Sequence, residues 1–445
     1  MDGEASAFLL IPLALLFPLH QLPWLMVPLH LAVFVVTAMV CHGELARLRP
    51  PGRHLTEFYV WLAVGGALGG AFNALLAPLL FDRVLEYPLA LVLACLLRPV
   101  AAGERATWRD LLVPAVLLVL CVLQMRHRDL GLPSPGMALG VALTLLPAIL
   151  MYSVVARPVA FAAGMAAVIF GTLVSYDFGN VLVQKRSFFG VYRIQSNHGH
   201  HVLVHGTTIH GAQSRDPERR GEPLTYYHRE GPLGELFAAL AAEPPKKVGA
   251  VGLGVGSVAC YRQPGQRWTF FEIDPLVEEI ARDRRYFSYL ADCAPDAAVV
   301  LGDARRSLEQ ASPEAFDLLI LDAFSSDAIP IHLMTRDALA LYMSRLAPHG
   351  LIAFHVSNRN LELLPVMAAL VANAGLAARY QAGGEPAAKD EVYRHSAVWV
   401  VIGRREADLR GLALSPRWHK LRSEAGVPPW SDDFADLVSA LRWRF

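Results

Sequence analysis

The sequence predicts an N-terminal α-helical membrane domain joined to a C-terminal α/β Rossmann-like nucleotide-binding domain with a small β-rich lead-in. Three observations carry this. Hydrophobic residues make up 54% of the chain and concentrate in its first 180 residues, where an ordinary soluble domain holds about 45–50%. The stretch Val248-Gly-Ala-Val-Gly-Leu-Gly-Val-Gly256 runs an apolar strand into a glycine turn. Three acids, Glu272, Asp303 and Asp322, then fall at the ends of successive apolar strands, the pattern of a nucleotide-binding βαβ series.

Apolar runs at about 8–19, 22–41, 58–81, 84–97, 111–125, 137–156 and 158–176 predict six or seven spans in a domain ending near residue 180. The first run lacks a basic start and leads directly into another, so a retained N-terminus is expected. Gly65, Gly66, Gly69 and Gly70 provide small residues four apart, which permits close helix contact in lipid. Asn73 is expected deep in the apolar layer, and Glu57, Glu86 and Asp177 near the headgroups. Arg47, Arg49, Arg53 and Arg98, Arg105, Arg109 mark two loops as cytoplasmic. With seven spans that would place residues 181 onward outside, whereas Lys185, Arg186 and Arg193 after the last span agree with an inward-facing domain. The domain is expected at the cytoplasmic face of the inner membrane.

Residues 181–235 form the lead-in, where alternation around Gly190, Gly199, Gly206 and Gly211 predicts short antiparallel strands. His198, His200, His201, His205 and His210 crowd this stretch, but no cysteine joins them and their spacing matches no ligand pattern, so no metal is expected. His201, Leu203 and His205 share one strand face, expected to be solvated or turned to the cleft.

Residues 245–403 form the nucleotide-binding core. Gly252, Gly254 and Gly256 let the backbone approach a ligand closely, and Glu272, ending the strand 268–273, can accept two ribose hydroxyl protons. Asp303 follows the strand 297–301, where it can accept from an adenine amino group. Asp322 ends the strand 316–321, at the carboxyl edge where such sheets place their chemistry. Buried strands are also predicted at 350–358 and 396–402, and His355 then lies at another strand end beside the cleft. The tail 404–445 ends in an amphipathic stretch, Leu437 to Leu441, predicted to be a capping helix.

At these residues the chain resembles the spermidine synthase family, and within it the bacterial branch fused behind membrane helices, over roughly residues 184–403. The matching stretches are Arg186-Ser-Phe-Phe-Gly-Val191, His210-Gly-Ala-Gln213, Leu224-Thr-Tyr-Tyr-His228 with Gly231-Pro-Leu-Gly234, the glycine turn, Glu272-Ile-Asp274, Gly302-Asp303 and Asp322 through Pro330. The resemblance implies a fold of the class I methyltransferase/spermidine synthase type. It implies decarboxylated S-adenosylmethionine as co-substrate, transfer of its aminopropyl group to an amine or polyamine, no metal, and a homodimer. Glu272 would hold the ribose, Asp303 the adenine, and Asp322 with Asp327 the reacting amine. Tyr226 and Gln213 would line the site, with Tyr227, Tyr393 and His355 around the acceptor.

Departures from the family pattern bear on the acceptor. The glycine-turn position that carries an acid in the family is Val255, and the family's Glu-Ser-x-Tyr-Gln reads Arg186-Ser-Phe-Phe-Gly190. Asp322 and Asp327 stand five apart, where the family has a tighter Asp-Ser-Ser-Asp. Two alternatives follow. One is a methyltransferase using intact S-adenosylmethionine, with Arg186 or Arg193 paired to its carboxylate. The other is a non-catalytic domain that senses a nucleoside or polyamine for a transporter-like membrane half. Formal net charge is zero and no basic tract suggests nucleic acid. The five cysteines give no cue for a disulfide, Cys260 and Cys293 having no close partner in sequence.

Overall fold

The computed structural model describes residues 23–97, 107–129, 146–177, 180–324, 330–383, 393–423 and 426–442. The chain divides into two compact units, Met1–Gly179 and Asn180–Phe445.

In the first unit, the helical stretches Val27–Arg47 and Gly52–Leu80 are long and apolar enough to cross a membrane. At 1.5 Å per residue, helices of 21 and 29 residues reach about 30 Å or more, the thickness of a hydrocarbon layer. Glu86–Leu96, Leu112–Leu123 and Pro158–Gly171 are shorter apolar helices. Phe34, Met39, Trp61 and Leu79 stand exposed on these helices, as lipid-facing side chains do. The apolar runs at 8–19 and at 137–145 lie outside the described residues.

Close helix packing in this unit is made by glycines other than those singled out above. A Cβ on Gly164 would lie 2.6 Å from Met151 Sδ and one on Gly171 would lie 2.4 Å from Cys121 Cβ, whereas around Gly65, Gly66, Gly69 and Gly70 nothing comes within 4 Å. Asn73 lies in a wide π-type turn, Phe72–Leu76, and its amide donates to the Gly69 carbonyl at 2.9 Å. That bond satisfies a donor which lipid could not.

The second unit begins with a four-stranded antiparallel sheet, β1 Val181–Ser187, β2 Gly190–Asn197, β3 His200–His205 and β4 Thr208–Ser214, in sequence order. Turns of two residues join the strands, and Gly199 and Gly206 in the second and third turns adopt positive φ, as does Gly190 directly after the first. A helix, Pro232–Ala239, leads into an eight-stranded sheet formed by β5 Lys247–Val251, β6 Arg267–Glu272, β7 Ala298–Leu301, β8 Phe316–Leu321, β9 Leu346–His355, β10 Ala377–Gly383, β11 Ala397–Gly403 and β12 His419–Lys420. Its order is β12-β10-β11-β9-β8-β5-β6-β7. The strands β9, β8, β5, β6 and β7 run parallel, and β11, β10 and β12 extend one edge in antiparallel pairing. The chain walks from β5 to β7 on one side, then returns to β8 on the other. The gap between β5 and β8 is therefore a topological switch point, where open α/β sheets bind ligands. Apolar clusters fill both faces, one around Phe270, Leu318 and Trp399 and the other around Leu319, Tyr342 and Ile352.

Two local expectations are corrected. Cys260 and Cys293 are joined by a disulfide with Cα atoms 4.9 Å apart. Sequence gave no cue because the pair is 33 residues apart and meets only when the turn Ser257–Tyr261 packs on the helix Tyr289–Cys293. The stretch Leu437–Leu441 forms turns rather than a helix. Backbone pairing outcompetes it: Leu441 bridges Leu361, Glu362 N donates to Ala440 O at 2.7 Å and Arg442 N donates to Asn360 O at 2.8 Å.

Candidate functional site

Register brings the site together. Val251 on β5 pairs with Phe271 on β6 and Leu321 on β8, while Glu272 pairs with Leu301. The ladders continue past the strand ends: Gly252 N donates to Phe271 O, Gly302 N to Glu272 O and Asp322 N to Val251 O, each at 2.9 Å. Gly252, Glu272, Asp303 and Asp322 thus stand along one edge of the sheet. They line a cavity of about 760 Å³, together with side chains from β3, β4 and the segment 226–227. Ligand pockets span about 300–1,000 Å³, so the volume suits a nucleoside with a substituent.

Gly252 has φ +93°, and a Cβ there would lie 2.2 Å from the carbonyl oxygen of Asp322. Only glycine lets the loop cross so close to the end of β8. Gly254 also lines the cavity, whereas Gly256 does not; it packs on Leu290. Val255 is buried against Gly211 of β4, so its side chain belongs to the apolar core beneath the site.

Glu272 is 8% exposed. One carboxylate oxygen accepts from Leu253 N at 3.0 Å and the other from Asp274 N at 2.9 Å. Each oxygen keeps a second lone pair, so the pair of oxygens can still accept two hydroxyls. Burial pushes this carboxyl above its ordinary value, against the pull of those N–H groups. Asp303 caps the helix Ala304–Gln310 by accepting from Arg306 N at 3.0 Å. Its other oxygen lies 3.1 Å from His332 Nε2, a cavity residue that the sequence did not mark.

Asp322 is the centre of a polar chain. The register Leu321↔Phe354 between β8 and β9 sets His355 beside it, with His355 Nδ1 2.7 Å from Asp322 Oδ1. Tyr227 donates its hydroxyl to Asp322 Oδ2. On the far side His355 Nε2 lies 2.8 Å from Ser357 Oγ, and Ser357 Oγ accepts from Val398 N at 2.7 Å. Ser357 thus ties the His355 ring to β11 and holds it toward Asp322. Burial opposes the charge on Asp322, but the His355 charge, its hydrogen bond and that of Tyr227 outweigh it and hold the carboxyl below its ordinary value. Burial, reinforced by the Asp322 charge, raises the Tyr227 phenol well above the usual range, so it remains a donor. The His355 ring stacks on Trp399 with centroids 4.9 Å apart and faces Tyr226 at 5.0 Å and Phe324 at 5.4 Å. Aromatic faces of this kind attract a sulfonium or ammonium.

The remaining anticipated residues fall in several places. Tyr226 lines the cavity and donates to Ile209 O at 3.1 Å. His205 turns into the cavity, and burial lowers its pKa. Gln213 is not on the cavity wall: its amide donates to Arg220 O at 2.7 Å and Ser288 Oγ at 3.0 Å, and its oxygen accepts from Ser288 N at 2.8 Å, tying β4 to the start of the helix Tyr289–Cys293. Tyr393 packs in a small core with Val202, Val204 and Leu224, away from the lining. Asp327 lies outside the described residues. Neither Arg186 nor Arg193 lines the cavity, and Arg193 donates to Gly206 O at 2.6 Å. Among the described residues, no group of three His, Cys, Asp or Glu is arranged to hold a metal ion.

These features define a Rossmann-like α/β domain with a cleft at its switch point, following apolar helices in the chain. No family model matches the chain. Over 153 residues it is 30% identical to the polyamine aminopropyltransferase of Vibrio vulnificus (strain CMCP6), covering 33% of this chain and 48% of that protein. The chain thus spans about half the length of the curated relative it matches. Among solved structures it is similar to a probable spermidine synthase from Corynebacterium glutamicum ATCC 13032, with TM-score 0.43, 14% identity and coverage of 58% of this chain and 99% of that one. It is also similar to the spermidine synthase of Thermotoga maritima, with TM-score 0.40, 15% identity and coverage of 55% and 81%. The likeness is a distant one, to an aminopropyltransferase-like domain, and the chain's own strand order carries the fold assignment.

Proposed function

We propose that the C-terminal unit is a membrane-anchored aminopropyltransferase of the spermidine synthase type, taking decarboxylated S-adenosylmethionine as co-substrate and an amine as acceptor. The observation that carries this reading is Asp322, set at the switch point between Tyr227 and His355 and facing the glycine turn. Glu272 receives the ribose hydroxyls and Asp303 the adenine amino group. Asp322 takes a proton from the incoming ammonium, which frees the nitrogen lone pair. That nitrogen forms a bond to the methylene next to the sulfonium, the carbon–sulfur bond breaks, and its electron pair goes to sulfur, releasing neutral methylthioadenosine. The product nitrogen stays protonated as a secondary ammonium, and Asp322 passes the proton it took to solvent, which restores its ionised form. His355 holds Asp322 ionised and oriented throughout, and Asp327 is assigned to the same acceptor end.

The apolar helices anchor this domain in the inner membrane, and we place it on the cytoplasmic side, where adenosyl sulfoniums are made. Calorimetric titration of the detergent-purified protein with methylthioadenosine tests the nucleoside site. Saturable binding that falls at least tenfold in Glu272→Ala supports it; unchanged affinity in the variant removes the ribose assignment.

A further inference from the structure

We infer that the acceptor is an amine that also carries an anionic group, a carboxylate or a phosphate, rather than a simple diamine. This rests on the aminopropyl-transfer reading and names its substrate class. A diamine has two cationic ends, and a site built for it places a carboxylate or an aromatic face, not a like charge, at each end of its path. Among the described residues the carboxylates lining the cavity are Glu272, Asp303 and Asp322. The first two stand at the ends of β6 and β7, where the nucleoside lies on that reading, which leaves Asp322, with Asp327 assigned to the same end, for the reacting nitrogen. The cavity wall on the β9 side, past His355, carries two guanidiniums instead, Arg359 and Arg442.

These two are brought together by backbone. Arg359 follows β9 by four positions, and the bridge Leu361↔Leu441 with Arg442 N bonded to Asn360 O sets the chain end alongside. Arg359 is exposed. Arg442 Nε is buried and makes no hydrogen bond among the described residues; its only acidic neighbour there, Glu362 Oε1, is 3.9 Å away and does not line the cavity. Nε is closed off, and the rest of the guanidinium, on a side chain that is 32% exposed, is the part that an anion in the cavity can reach. The far ammonium of a diamine would instead meet two like charges, which disfavours it. The β9 wall therefore selects the acceptor by its negative group, while Asp322 and the aromatic faces take its amine.

The test is competitive titration of the methylthioadenosine-loaded protein with putrescine, ornithine, phosphoethanolamine, and phosphatidylethanolamine in nanodiscs. Methylthioadenosine is titrated alone in parallel, so failure of the nucleoside site shows there and not in the amine arms. The expected result is that at least one anionic amine binds about tenfold or more tighter than putrescine, and the preferred arm tells a carboxylate from a phosphate and a free amine from a lipid headgroup. Arg359→Glu and Arg442→Gln, each with a wild-type melting temperature, should erase that preference. Putrescine binding as well as or better than every anionic amine, no anionic amine binding at all, or a preference that survives both substitutions would each overturn the inference.

Discussion

The Nδ1 atom of His355 lies 2.7 Å from Asp322 Oδ1, across the parallel pair β8 and β9. The side chains are 5% and 11% exposed, so the pair sits in a poorly solvated environment where such a bond counts for more than in water. The acid that a transfer reaction needs is in this way kept ionised by a neighbour on the next strand.

Replacing Asp322 by Asn should preserve the shape of the site while removing the proton acceptor. Methylthioadenosine affinity should stay within about threefold, and turnover should fall by about 10²–10⁴, the range typical of a lost general base. Stopped-time product assays read this. Turnover near the wild-type level would take Asp322 out of its role.

His355→Gln should act through Asp322. Because His355 lowers the Asp322 carboxyl, its loss should let that carboxyl rise, so the acidic limb of the rate profile should move to higher pH. The same sign governs stability. A depressed carboxyl stabilises the fold above the unfolded-state pKa, and that contribution is lost as pH falls through the folded value. Wild type should therefore lose more stability than His355→Gln on acidification, measured by melting temperature against pH. Superimposable rate profiles would reduce His355 to a packing role.

Glu272 has the opposite sign. Its raised carboxyl favours the protonated form, so its contribution to stability of the free protein is present at low pH and lost as pH rises through the folded value. Nucleoside binding needs the ionised acceptor, so affinity should weaken on acidification, starting above the ordinary glutamate range. Titrations of methylthioadenosine across pH 4–8 check this, and a flat response would contradict the assignment.

Gly252→Ala combines a positive φ with a clash at 2.2 Å. A loss of about 2–4 kcal/mol is expected, from the strained conformation and from steric displacement of the β8 end. Denaturant unfolding followed by a signal from the second unit measures it, and nucleoside binding should fail together with it.

The Cys260–Cys293 pair reports the compartment. On the cytoplasmic side thiol buffers keep such pairs reduced, so rapid alkylation in intact cells should trap two free thiols, and the bond should close only after purification. Once closed it should add about 2–4 kcal/mol of stability that reductant removes. A disulfide trapped in the cell would place the domain on the other face, as the arginine-rich loops of the membrane half suggest.

Much of the sheet was legible because its signals are local. An apolar run that stops at a glycine or an acid marks the end of a strand, and β5 through β8 each stop that way at Gly252, Glu272, Gly302 and Asp322. What the sequence hid depends on side-chain direction or on distant partners. Gln213 belongs to a matching motif, yet it faces Ser288, 75 residues away. His332 reaches Asp303 from beyond the next strand. Ser357 was open to discovery, since it stands two residues after His355 and so shares its face in extended chain. The helix predicted at the tail failed because residues 440–442 gain backbone partners at 360–362 that periodicity cannot reveal.

The most direct test of the central claim is to incubate the purified protein with decarboxylated S-adenosylmethionine or, separately, the intact cofactor, plus the amine panel, and to identify the released nucleoside by mass spectrometry. The account predicts methylthioadenosine that depends on added amine and disappears in Asp322→Asn. S-adenosylhomocysteine formed from the intact cofactor, or nucleoside binding with no product from any amine, would contradict it.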